Sequence, residues 1–240
     1  IWFIDSDDKV IDGSLKQIHE IIENNSPDII FCDYHIWNGK DSIFSASTHQ
    51  KGFKGVTQRL VTSASQLACG ILISGKTHVW SKIVKRSAWP SSLRFPIGIC
   101  FEDMATTPQL ALTAQTFYYA AQPWIAYRQH SQSEMAQLTK EKIIDWSNAL
   151  SHVRTAYDKH RFLENDAVRF ALSHAAATNM RAALRHQHSG RPSTTHTILQ
   201  HFYAISPLTS HQLFIQYTKR LMLSKAYQLI RSIRKSHISS

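Results

Sequence analysis

Ile1-Trp2-Phe3-Ile4-Asp5-Ser6-Asp7-Asp8 sets four apolar residues directly before a cluster of carboxylates. Two aromatic and two β-branched residues in a row read as a buried strand. The carboxylates then fall at its C-terminal end, where open α/β sheets bind their ligands. In an extended segment Asp5 and Asp7 share a face and can reach one cation. Mg²⁺ and Mn²⁺ prefer carboxylate oxygen and often carry substrate phosphates as further ligands. The stretch therefore reads as a metal–diphosphate site at a strand end. The plain alternative is a polar turn, since Asp and Ser side chains hydrogen-bond nearby backbone. An EF-hand loop is excluded, because Lys9 and Val10 stand where it needs an oxygen ligand and a glycine.

The composition suits a folded protein. The 240 residues are 43% hydrophobic and 18% charged, enough for one domain with an appendage. The formal charge of +10 points to an anionic partner: a sugar nucleotide, an anionic lipid surface or nucleic acid. Cys32, Cys69 and Cys100 are scattered in apolar surroundings and read as free thiols in a reducing compartment. No Cys/His cluster has zinc-site spacing, and no RNA-binding motif appears, so nucleic acid is not an expected partner. The sequence shows neither a signal peptide nor an apolar run near the length of a membrane span.

Leu15, Ile18, Ile21 and Ile22 recur at helical spacing and predict a helix over 14–24, ended by Asn24-Asn25-Ser26-Pro27. Residues 28–37 predict a strand, followed by the hairpin signal Asn38-Gly39. Residues 57–70 read as helix. Residues 104–116 read as an amphipathic helix opened by Glu102 and Asp103, which the helix dipole would also favour there. Phe117-Tyr118-Tyr119 and Trp124–Arg128 read as edge strands. Beyond about 136 glycine nearly disappears, and 140–160, 164–187, 193–204 and 209–235 read as helices, with a break at Ser189-Gly190-Arg191-Pro192. In the last helix Lys219, Arg220, Lys225, Arg231, Arg234 and Lys235 alternate with apolar residues. That pattern fits either a packed, solvated helix or contact with an anionic membrane through 209–237.

Four blocks in order resemble the family 2 glycosyltransferases of the GT-A fold. They are Phe3-Ile4-Asp5-Ser6-Asp7-Asp8; Trp80-Ser81-Lys82; Glu102-Asp103 after Phe95-Pro96; and Tyr127-Arg128-Gln129-His130. The likeness covers roughly residues 1–135. It implies an α/β fold, namely an incomplete GT-A (Rossmann-like) sheet with flanking helices over 1–135, plus an all-helical extension over 136–240. It also implies that a βαβ portion gripping the nucleotide base precedes Ile1, so that the chain is N-terminally truncated. The implied activity is inverting transfer of a sugar from a nucleoside-diphosphate donor to a glycan or lipid-linked acceptor. The implied pathway is synthesis of a surface polysaccharide such as lipopolysaccharide or capsule, at the cytoplasmic face of the inner membrane.

The site residues follow from the same resemblance. Asp7 would ligate Mn²⁺ or Mg²⁺, and Asp5 would share the metal or meet the ribose. Lys82 and Arg128 would stabilise phosphate charge. Asp103 would take the proton of the acceptor hydroxyl, with Glu102 in support. His130 and Gln132 depart from the family's usual Arg and Gly. Two other classes remain open. One is a haloacid-dehalogenase-like phosphatase with Asp5 as nucleophile, although Asp8-Lys9 stands where that family places a small pair such as Gly-Thr. The other is a non-catalytic transferase remnant.

Overall fold

The computed structural model describes residues 1–39, 47–129, 139–186 and 192–238. His130 and Gln132, and Ser189 to Arg191 of the expected break, lie outside them. The chain forms two units. One comprises Ile1–Arg94 and Thr106–Gln137, the other Phe95–Ala105 and Leu138–Ser240. It is therefore not divided by one cut near 135, because a short segment around Glu102 and Asp103 belongs to the second unit.

The first unit is mixed α/β. In chain order it holds β1 (Lys9–Val10), α1 (Ser14–Asn25), β2 (Ile29–Trp37), β3 (His49–Gln50), β4 (Leu60–Val61), α2 (Ala64–Ser74), β5 (Lys82–Val84) and β6 (Phe117–Arg128). β2 and β6 run parallel at the centre. β5 and β3 flank the first and second halves of β2, and β4 and β1 those of β6, all antiparallel.

β6 is one central strand of 12 residues, not two edge strands. Pro123 obscures this in the sequence, since proline normally marks a strand's edge or a bulge. Here Ala121 takes φ 52 and the register against β2 shifts around Asp33, so an irregularity absorbs Gln122-Pro123 without ending the strand.

Each face of the central pair has its own core. Ile30 and Cys32 of β2 and Trp124 of β6 pack with Ile18 of α1. On the other face Phe53 lies 4.2 Å from Phe31, 5.4 Å from Phe117 and 5.5 Å from Tyr119 between ring centroids. Phe53 also presses on Gly70 of α2, where an added Cβ would meet the ring at 2.0 Å. Burial raises the Cys32 thiol to about 12, and Cys32, Cys69 and Cys100 form no disulfide.

Three local expectations are corrected. Ile1–Ile4 is not a buried strand. Trp2 forms a single bridge to Ile83, and Ile1, Phe3 and Ile4 are 38–42% exposed. The helix expected over 57–70 is α2, which starts at Ala64 because the Ser63 hydroxyl accepts the N–H of Gln66; Leu60 and Val61 before it pair with β6. The helix expected over 104–116 is a short α3 (Glu102–Thr106) followed by a 3₁₀ segment over Thr107–Leu112. Pro108 supplies no N–H for a continuous α-helical ladder.

The second unit is helical: α4 (Lys140–Lys159), α5 (Asp166–His186), α6 (Pro192–Ile205), α7 (Ser210–Lys219) and α8 (Leu223–Ile238). Leu150, Val153, Tyr157, Leu172, Met180, Phe202, Leu213 and Tyr217 are buried in it. The helix expected over 209–235 is two helices. Thr209 opens α7 with a capping box shared with Gln212, and Leu221 breaks the run by taking φ 55. Leu213, Tyr217, Ala226 and Leu229 are buried, so much of the apolar stripe of α7 and α8 is used within the unit. Among the described residues no helix is long and apolar enough to cross a membrane.

Candidate functional site

The acidic residues sit on a turn closed by the N–H of Asp8 donating to the Asp5 carbonyl at 3.1 Å. Two links pin this turn to the end of β6. β1 follows at once and pairs Lys9 with Ala126. The Arg128 N–H donates to Asp8 Oδ1 at 2.9 Å. β2 runs parallel to β6 with Trp37 beside Arg128, so the carboxyl ends of both central strands meet the turn. The Lys9 amine lies 4.1 Å from the centre of the Trp37 ring. The turn thus lies at the carboxyl ends of β2 and β6, not at the end of the Ile1–Ile4 strand expected from the sequence.

Asp5 and Asp7 are exposed and Asp8 is half-buried. Burial, then the charge of Asp7, raises the Asp5 carboxyl above its ordinary range. Burial raises Asp8 to about 6; the Arg128 N–H opposes this, and Asp5 and Asp7 add to it. Asp8 Oδ2 is buried and makes no hydrogen bond. Crowded carboxylates and an unpartnered buried oxygen are relieved by a cation, so the residues present fit a hard metal ion. Among the described residues no group of three His, Cys, Asp or Glu side chains is arranged around a common metal position.

An aromatic wall stands beside the turn. Trp80 stacks on His78 at 3.8 Å and on Tyr127 at 5.0 Å, and Tyr34 meets all three rings edge-on. Trp2 Nε1 donates to the Trp80 carbonyl at 2.7 Å and ties the first residues to this wall. The Lys76 amine donates to the Tyr34 hydroxyl at 2.9 Å. Burial first, then Asp8 and Asp5, raises the Tyr127 hydroxyl above its ordinary range, which places that ring within reach of the acidic charges. Burial, then Lys82 and Lys76, holds His78 well below its usual value, so it is neutral.

The other expected residues are placed as follows. Arg128 is exposed at the end of β6, and its guanidinium lies beside Gly39, where an added Cβ would approach Nε to 3.2 Å. Lys82 departs from the expectation of a phosphate-facing cation. It is 0% exposed, and its amine donates to the carbonyls of Lys76 at 3.0 Å and His78 at 2.5 Å and to Ser81 Oγ at 3.2 Å. An ammonium has three donors, and three acceptors surround this one, so it braces the loop that carries Trp80. Glu102 and Asp103 open α3 and are half-buried in the second unit. There the Cys100 N–H donates to Asp145 Oδ2 at 3.0 Å and Phe101 stacks on Trp146 at 5.4 Å.

The sequence reading assigned no role to Asp8, Tyr127 or Tyr34. Asp8 was legible in principle, standing next to Asp7 in the same acidic run.

Asp8 carries a pH prediction for the metal-free protein. A carboxyl raised in the folded state contributes stability at low pH that is lost as pH rises through about 6. Asp8→Asn keeps an acceptor for the Arg128 N–H and removes the charge. In EDTA, thermal melts from pH 4.5 to 7.5 should show the variant gaining on the wild type across that rise. A pH-independent difference would refute the assignment.

The chain matches no known protein-family model and no curated protein.

Proposed function

We propose that this chain is part of a metal-dependent glycosyltransferase of the GT-A type, using a nucleoside-diphosphate sugar as donor and a glycan or lipid-linked acceptor. The observation that carries the reading is the acidic turn held at the carboxyl ends of the parallel pair β2–β6, with Arg128 at the end of the same strand. Asp7 and Asp5 would hold Mn²⁺ or Mg²⁺, which needs few protein carboxylates when phosphate oxygens complete its shell. When bound, the cation supplies Lewis-acid neutralisation of the departing diphosphate. The Arg128 guanidinium suits a bidentate contact to phosphate. Tyr127, beside the acidic charges, limits water there. Asp103 as base and Glu102 in support rest on the resemblance alone, as does inversion at the anomeric carbon.

The same reading places the protein in surface-polysaccharide or lipopolysaccharide synthesis at the cytoplasmic face of the inner membrane. Peripheral contact through 209–237 is supported by Leu221, Leu223 and Tyr227, which are 84%, 62% and 66% exposed beside Lys219 and Arg220.

Calorimetric titration with UDP tests the site. With Mn²⁺ the wild type should bind at least about tenfold more tightly than in EDTA or after Asp7→Ala, the loss of roughly one charge-assisted contact. Equal affinity in all three conditions would refute the metal–diphosphate reading. Phosphate release from p-nitrophenyl phosphate through a phosphoenzyme on Asp5 would put the phosphatase in its place.

A further inference from the structure

Among its described residues the helical unit carries a group of cations with no acidic partner. Arg181 lies on α5 and is only 7% exposed. Its Nη2 donates to Thr178 Oγ1 at 2.7 Å, while its Nη1 is buried and makes no hydrogen bond. A guanidinium stays charged in any protein environment, and a buried charge without a counter-charge is strongly unfavourable. Among the described residues no carboxylate pairs with Arg181, Arg185 or Lys225.

Burial first, then the charges of Arg181 and Arg185, lowers the Lys225 ammonium from its usual value, so the three cations act on one another between α5 and α8. Arg185 is exposed and Lys225 half-buried. Arg181 also acts on the Tyr217 hydroxyl, which lies 3.1 Å from His174 Nδ1. Cations on α5 and α8 that act on one another, one of them buried with an unused donor, are what a tetrahedral oxyanion satisfies.

We propose that Arg181, Arg185 and Lys225 form a binding site for a phosphate-class oxyanion in the helical unit, separate from the acidic turn. The proposal does not depend on the transferase reading. The anion is either a free phosphate or the phosphate of a lipid headgroup, and both present the same oxygens.

The test uses the full chain in EDTA, so that the acidic turn takes no part. Inorganic phosphate should raise the melting temperature saturably, beyond sodium chloride at equal ionic strength, with one site per chain by calorimetry. Arg185→Gln with Lys225→Gln changes only residues at or near the surface and should weaken that binding at least about tenfold. Arg181→Met should abolish it wherever the variant folds. Vesicles of phosphatidylcholine with and without phosphatidylglycerol separate the two sources. Flotation that requires phosphatidylglycerol and is lost in the double variant identifies a headgroup. Phosphate binding without flotation identifies a free anion. A melting shift equalled by chloride, or unchanged affinity and flotation in the double variant, overturns the site.

Discussion

Gly52→Ala should unfold the sheet unit or leave it only marginally stable. An added Cβ at Gly52 would lie 1.9 Å from the Cys32 carbonyl oxygen and 3.1 Å from its carbon. The obstacle is backbone in the central strand β2, which cannot move aside as a side-chain tip would. The N–H of the same residue donates at 2.9 Å to Asp33 Oδ1. Asp33 is 1% exposed and also accepts from the Tyr119 hydroxyl at 2.6 Å and lies 2.7 Å from His49 Nε2. Pushing Gly52 away therefore loosens a buried carboxylate as well as the strand. Overpacking plus a weakened bond to a buried charge gives a cost of about 3 kcal/mol or more. Gly75→Ala is the control. There a Cβ meets nothing within 4 Å, and only the helix-ending φ of 65° is strained, costing about 1 kcal/mol. Urea melts followed by near-ultraviolet circular dichroism should separate the two variants clearly. Equal midpoints would mean that residue 52 does not lie against β2 as described.

Lys82→Met should damage stability and spare ligand binding. The substitution keeps most of the buried stem and deletes the donors. The carbonyls of Lys76 and His78 then lose a partner that now lies within 3.0 Å of each. Removing a charged nitrogen from the interior relieves its desolvation, which opposes the loss. The unpaired acceptors dominate because all three donors are matched in the native state, and the net cost is about 3 kcal/mol. UDP affinity, measured well below the melting point, should change by less than about twofold, an effect under 0.5 kcal/mol. A stable variant with much weaker affinity would restore Lys82 to a phosphate-facing role.

Local patterns made part of this legible. β2 follows from its apolar run, and α1, α4, α5 and α6 follow from helical spacing, because one buried stripe per helix repeats in the sequence. What eluded the sequence depends on distant partners. β6 reads as two strands because the consequence of Pro123 is decided by the slipped register of β2 opposite. The end of α7 lacks the usual glycine, since Leu221 itself takes the left-handed conformation. Lys82 reads as a free cation because the carbonyls around it come from backbone outside the motif. At the acidic turn the residue types were readable, but not their place, since the strand expected before them does not form and the ends of β2 and β6 take its part. The aromatic wall was not, because Tyr34, Trp80 and Tyr127 come from widely separated stretches.

The path of the chain limits how this protein can be taken apart or recombined. After Arg94 it spends eleven residues in the helical unit and then returns to lay down β6, the longest strand of the sheet. No single break in the sequence can separate the two units. A fragment ending at β6 carries off the Phe101 ring that stacks on Trp146, and a fragment starting after β6 lacks it. Shuffling by terminal fusion or deletion would thus leave one piece missing a part and the other holding it. Any single cut therefore costs one of the two units a part of its own packing.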